Sequence, residues 1–200
     1  MSQAALFQLE PTFDGRVEDD FYETPAWCVG SLVEAADLRL TGRRVLDPSA
    51  GKGAILDAAI RLGARGGVGY EFDADRAAIA FSKGHQVQQA DALLVRWMEA
   101  DVMIGNPPFE LALEFALRAA EWADEFMRPA ALLLRLGFMA SQSRASFHVE
   151  YPSDAHILAQ RPKFRTDTNG TDKYDVAWFV WGPGQRGRWT VIPAKDGGPC

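Results

Sequence analysis

Asn106-Pro107-Pro108-Phe109 closes an apolar run, Asp101-Val102-Met103-Ile104-Gly105, that has the composition of a buried parallel strand. Two consecutive prolines exclude helix and ladder pairing, so the chain must leave the strand as a stiff turn. At the carboxyl edge of an open α/β sheet, that turn lies where such sheets take their ligands. It offers an amide oxygen on Asn106, carbonyls beside residues without N–H donors, and the aromatic face of Phe109. Acceptors next to a flat apolar surface suit a planar group that carries an NH2.

Three carboxylates, Asp47, Glu71 and Asp91, fall at or just past the ends of three successive expected strands. In a parallel sheet all three share one rim, beside the small-residue loop Pro48-Ser49-Ala50-Gly51-Lys52-Gly53. Glu71, after the second strand, is placed to accept two hydrogen bonds from a ribose diol. Asp47 and the loop can receive an ammonium group. Asp91 can accept from an exocyclic amine of an adenine held between Phe72 and Leu93. A nucleoside bearing an amino-acid arm satisfies all three at once. Taken singly, each acid also suits a helix N-cap.

Other chemistries find no matching pattern. Gly51-Lys52 lacks the earlier glycine and the following Ser or Thr of a phosphate-binding loop, and no third glycine stands at dinucleotide spacing. Ser49 lacks the first glycine of a nucleophile elbow. His85, His148 and His156 are scattered, not paired with cysteines or acids at ligand spacing, so structural roles and no metal are expected.

The elements that must position these residues follow from periodicity and punctuation. Thr24 is a plausible N-cap with Pro25 at the first helical position, opening a helix to about Leu38. Strands are expected at 44–47, 67–71 and 85–88, with helices from Ala54 to Leu62, stopped by Gly63, and from Asp73 to about Ser82. Strand, loop, helix, strand, helix, strand at this spacing is the signature of a doubly wound parallel sheet. Leu111, Phe115, Ala119, Trp122 and Phe126 share one helical face and read as core. Ala130 to Leu136 reads as a continuous apolar strand, and further strands are expected at 156–160 and 174–181, joined by the polar hairpin Arg165 to Lys173. Trp178 and Trp181 are assigned to the core. Residues 1–19 read as an arm, 20–182 as the domain, and 183–200 as a tail with a short strand at Trp189 to Ile192.

Two hundred residues at 48% apolar content fit one domain. The opening residues have no basic region followed by an apolar core, and no apolar run spans a bilayer. Only Cys28 and Cys200 are present, which fits a reducing cytosol rather than a disulfide framework. The net charge of −6 argues against indiscriminate nucleic-acid binding, but it is uneven. Residues 130–200 hold nine basic and six acidic side chains, the first 129 residues twelve and twenty-one. A polyanion is therefore expected on the C-terminal third.

Together these segments resemble a known family. Phe21-Tyr22-Glu23-Thr24-Pro25, Leu46 to Gly53, Gly69-Tyr70-Glu71, Asp91 and Asn106 to Phe109 stand in the order of a class I S-adenosylmethionine-dependent methyltransferase. The chain is similar to small adenine-N6 DNA methyltransferases of phages and prophages, over residues 20 to 182. Their C-terminal signature resembles Arg161-Pro162-Lys163-Phe164 followed by Asp175 to Trp181. The resemblance implies an α/β fold, a Rossmann-like doubly wound sheet of seven strands, the last antiparallel, with helices on both faces. It implies S-adenosyl-L-methionine as cofactor, held by Tyr22, Thr24, Pro25, Asp47, Pro48, Ser49, Ala50, Gly51, Gly53, Glu71, Phe72, Asp91, Ala92 and Asn106. Asn106 and the Pro107 carbonyl would accept from the target amine, with Pro108 stiffening the turn and Phe109 stacking on the base. Phe164 is the candidate for the other face, with Arg161, Lys163, Arg165 and Lys173 toward the nucleic acid; a core role for Phe164 competes.

DNA adenine N6 is the leading substrate, with the base flipped out of a duplex. An RNA amine (adenine N6 or guanine N2), a protein glutamine amide, or a non-catalytic nucleic-acid-binding module are the alternatives. The expected state is a cytoplasmic monomer or homodimer, without membrane or metal. No room remains for a target-recognition domain, so specificity is expected to be low or to come from the 165–173 hairpin, the tail or a dimer partner.

Overall fold

A computed structural model describes residues 23–164 and 174–194. The expected hairpin residues Arg165 to Lys173, Tyr22, the N-terminal arm and the last six residues lie outside the described residues.

Eight strands form one sheet: β1 Arg44–Asp47, β2 Gly66–Glu71, β3 Gln86–Gln89, β4 Val102–Gly105, β5 Ala130–Arg135, β6 Asp154–Leu158, β7 Val176–Trp181 and β8 Trp189–Ile192. Their order is β3-β2-β1-β4-β5-β7-β6-β8. The order reverses between β1 and β4, so the carboxyl ends of these two neighbours open the crevice where doubly wound sheets take ligands. β1 to β5 pair in parallel, whereas β7 runs antiparallel to both β5 and β6. The antiparallel seventh strand matches the expectation, but the sheet has eight strands rather than seven. β8 pairs in parallel with β6, beyond residue 182. It is held there by Asp154, whose carboxylate accepts from the Arg186 and Arg188 N–H groups at 3.0 and 2.8 Å and from the Arg188 guanidinium at 2.8 Å.

The pleat sorts the core into two layers. On β7, Val176, Trp178 and Val180 face one layer, and Ala177, Phe179 and Trp181 the other. The first layer is covered by α1 (Ala26–Ala35), α2 (Ala54–Arg61) and α3 (Ala74–Ser82), the second by α4 (Ala112–Phe126) and α5 (Ala145–Glu150). Trp178 and Trp181 are 0% and 2% exposed, as a core role requires. The Trp178 indole N–H donates to the Cys28 carbonyl of α1 at 3.0 Å, which fixes that helix against β7. Burial pushes the Cys28 thiol up, so it is a packing residue rather than a nucleophile.

Candidate active site

The three acids occupy the carboxyl rim of β1, β2 and β3, and all three make the same local bond. Asp47 Oδ1 accepts from the Ser49 N–H at 3.0 Å, Glu71 Oε1 from Asp73 at 2.9 Å, and Asp91 Oδ1 from Leu93 at 3.0 Å. Each carboxylate thus folds its own loop back by holding the amide two residues on. None of the three caps a helix. Gly53 precedes α2, and Asp73 caps α3 by accepting from the Arg76 N–H at 2.8 Å.

Glu71 ties the first two loops together. Its Oε2 accepts from the Gly51 N–H at 2.8 Å, across the β1–β2 pair. The loop Pro48 to Gly53 turns so tightly because Gly51 and Gly53 take φ of 53° and 84°, which L side chains rarely adopt. Ala50 anchors it by donating to the Tyr70 carbonyl at 2.9 Å. Behind it, His85 is buried with Nε2 2.8 Å from Asp57 Oδ1. His148 pairs with the Phe138 carbonyl and His156 with Thr190. Among the described residues no group of three or more His, Cys, Asp or Glu is placed to hold a metal.

Asp47 is 1% exposed, and its second oxygen, Oδ2, has no hydrogen-bond partner among the described residues. Burial pushes its carboxyl up to about 7, against the pull of the Ser49 N–H, and the negative charge of Glu71 adds to the rise. The open cleft beside it is lined by Glu23, Thr24, Asp47, Ser49, Gly51 and Asn106 among others. Asn106 leaves the end of β4 half-buried, and its Nδ2 donates to the Thr24 hydroxyl at 3.1 Å. Thr24 is therefore not the cap of α1. Pro25 occupies the cap position in an extended conformation, and the Thr24 hydroxyl instead orients the Asn106 amide. Pro107 is buried, Pro108 half-buried, and Phe109 opens a 3₁₀ turn, Phe109–Leu111, that leads into α4.

The rim beyond β2 and β3 is built by different contacts. Ala92 is buried, its carbonyl accepting from the Trp97 indole at 2.8 Å, while Phe72 is 55% exposed. Arg118 of α4 donates to the Leu93 and Val95 carbonyls and lies over the Trp97 ring, clamping the segment after Asp91.

Phe164 is 7% exposed and belongs to the core layer under α1; it meets Phe109 edge-on, with centroids 6.5 Å apart. Arg161 is exposed and paired with Asp175 at 2.8 Å, and Lys163 is exposed. Arg165 and Lys173 lie outside the described residues. Sequence reasoning passed over Arg135, the last residue of β5, whose guanidinium stacks over Phe109. The available signal was a single charge closing an otherwise apolar strand run.

No family model and no curated protein matches the sequence. Solved structures do resemble the fold. A protein assigned as an RNA methyltransferase from Pyrococcus horikoshii superposes with a TM-score of 0.65 at 20% identity, over 88% of this chain and 92% of that one. The chain has the Rossmann-like methyltransferase fold. A dimethyladenosine transferase from Plasmodium falciparum aligns with a TM-score of 0.60 at 14% identity, over 81% of this chain and 63% of its own. A protein assigned as the modification subunit of a type I restriction enzyme from Vibrio vulnificus aligns with a TM-score of 0.58 at 17% identity. This chain covers 88% of itself in that match but spans only 48% of the Vibrio subunit.

Within this fold, the lining of the Asp47 cleft fits the ammonium end of an amino-acid arm. A buried carboxylate oxygen without a partner among the described residues, beside an open cleft, is a ready acceptor for an ammonium group. Gly69 shows how closely β1 and β2 approach here: a Cβ on it would stand 2.3 Å from the Asp47 carbonyl oxygen. No helix among the described residues is long and apolar enough to cross a membrane.

Proposed function

We propose that this protein transfers a methyl group from S-adenosyl-L-methionine to an exocyclic amine of a nucleobase, with adenine N6 in DNA as the leading substrate. The observation that carries the reading is the Thr24–Asn106 bond beside the Asp47 cleft. With the Asn106 nitrogen toward the Thr24 hydroxyl, the carbonyl end of the amide is turned away from Thr24, beside the Asp47 cleft.

When bound, the cofactor supplies an electrophilic methyl group on a sulfonium. The chain's part is to make the amine a better nucleophile and to aim it. An adenine N6 lone pair is delocalised into the ring. The Asn106 carbonyl and the Pro107 carbonyl take its two N–H hydrogens, which returns electron density to nitrogen and fixes its direction. Neither acceptor is a base, so the proton leaves to water after the new N–C bond forms. Thr24 acts one step back as a positioning residue for Asn106. Asp47 and the Gly51 loop receive the amino-acid arm, Glu71 the ribose and Asp91 the adenine amine.

The nucleic-acid side rests on less specific contacts. Phe109 gives the base a stacking surface, and Arg161, Lys163, Arg165 and Lys173 contribute positive charge toward phosphates. RNA is the second reading, favoured by the solved structures of this fold whose described activity is on RNA. The test is to incubate the protein with tritiated S-adenosylmethionine and duplex DNA, single-stranded DNA or RNA, and to identify the labelled nucleoside. Asn106→Ala is expected to abolish transfer while retaining cofactor binding, and Glu71→Ala to weaken cofactor binding first. Normal transfer by Asn106→Ala would overturn the assignment.

A further inference from the structure

The turn's aromatic ring is engaged in a stack that the methyl-transfer reading leaves unused. The guanidinium carbon of Arg135 lies over the Phe109 ring, 4.8 Å from its centroid, and over the Tyr174 ring at 3.8 Å. One guanidinium therefore packs over two aromatic rings at the carboxyl end of β5. That strand is the direct neighbour of β4, which ends beside Asn106. The packing is imperfect in one respect: Arg135 Nε is buried and has no hydrogen-bond partner among the described residues. A buried donor left unpaired is costly, so this arrangement gains if another planar group takes the guanidinium's place. Tyr174 is 50% exposed, which leaves one wall of the stack open to an incoming ligand.

We infer that Phe109 and Tyr174 form the slot for the target base, and that Arg135 fills it as a placeholder until a base enters. The inference rests on the methyl-transfer reading and adds which side chains take the two faces of the base. A guanidinium is planar and stacks on aromatic rings much as a base does, with attractions of comparable size. Exchange between the two is thus close to balanced, and the base wins by covering more of both rings. Arg135, once displaced, gains an acceptor for its orphaned N–H from a phosphate or a base edge. Phe164, edge-on to Phe109 and 7% exposed, then buttresses the ring and does not supply the second face.

The test titrates 2-aminopurine riboside, whose fluorescence is quenched on stacking, against the full chain. Arg135→Ala empties the slot and is expected to bind the nucleoside about tenfold more tightly than the wild type. Adding Tyr174→Ala to that variant is expected to remove the gain. Unchanged or weaker binding by Arg135→Ala would make the arginine a buttress or a base contact and overturn the placeholder role. Tighter binding that survives Tyr174→Ala would overturn the slot. Where Arg135→Ala melts early, Arg135→Lys keeps the charge, loses the plane, and should show the same tightening. Parallel titration with S-adenosylhomocysteine separates the two readings. A wild-type chain that fails to bind it defeats methyl transfer, while the slot stands or falls on the nucleoside titrations alone.

Discussion

Asp47 concentrates the chemistry of the site in one side chain, and its pH behaviour can be worked out in sign. Its carboxyl titrates at about 7 in the folded protein, pushed up by burial, against 3.8 when unperturbed. The group favours the folded state most below its unfolded pKa, where both states are protonated. As pH rises from about 4 to 7 the unfolded chain loses this proton first, so stability falls across that window and levels off above it. Asp47→Asn should therefore melt higher than the wild type at pH 8, yet bind S-adenosylhomocysteine at least tenfold more weakly. An ammonium group seated against Oδ2 reverses the burial effect and drives the proton off. At pH 6, calorimetry in buffers of different ionisation enthalpy should thus report release of close to one proton on binding, and almost none at pH 8. A binding heat that does not depend on buffer at pH 6 would disconnect Asp47 from the amino-acid arm. Thr24 allows a cleaner separation of roles. Thr24→Val should lower kcat about tenfold with little change in the KM for S-adenosylmethionine, and Thr24→Ser should restore it. An effect on KM alone would assign Thr24 to the cofactor.

Elements built from local pattern were legible, and those built from distant contacts were not. Apolar runs bounded by Gly, Pro and Asp marked β1 to β5 and β7 within a residue or two, and the stripe from Leu111 to Phe126 marked α4. The three acids were legible as a set because each closes or follows a strand, and parallel pairing brings strand ends to one rim. Thr24 was misplaced as a cap because its partner, Asn106, is 82 residues away. β8 was legible as the short strand Trp189–Ile192, but its place beside β6 was not, since what seats it is the Asp154 carboxylate, more than thirty residues upstream. Arg135 was passed over as the single charge that closes an otherwise apolar strand. The close approach of β1 and β2 is likewise a tertiary fact, and it discriminates between two glycines of one strand. A Cβ on Gly69 would collide with the Asp47 carbonyl, whereas one on Gly66 meets nothing within 4 Å. Gly69→Ala should cost roughly 3 kcal/mol, the upper end for an overpacked interior, and Gly66→Ala should stay within about 0.5 kcal/mol. Denaturant midpoints measure both; equal effects would mean that β1 can shift to make room.

Across the whole molecule, strand order converts the uneven charge of the sequence into a division of labour. β3, β2 and β1 form one half of the sheet and carry Asp47, Glu71 and Asp91 at their rim; β5, β7, β6 and β8 form the other; β4, with Asn106 at its end, is the seam. From residue 130 onward the described residues hold six basic and three acidic side chains, so this half carries the positive excess of a chain that is −6 in all. Several of those cations are already engaged, Arg161 with Asp175 and Arg188 with Asp154, which limits how many phosphates this half can neutralise. Nucleic-acid binding should then be weak and only moderately salt-dependent. A net of about three phosphate contacts on a single strand gives a slope near −2 for log Kobs against log salt. Lys163→Ala, on the positive half, should flatten that slope by about 0.7. Arg61→Ala, exposed on α2 above the cofactor half, should leave it unchanged. Fluorescence anisotropy with a labelled oligodeoxyadenylate at several salt concentrations reads both. If Arg61 matters as much as Lys163, the polyanion crosses the cofactor half of the sheet, and the division drawn at β4 fails.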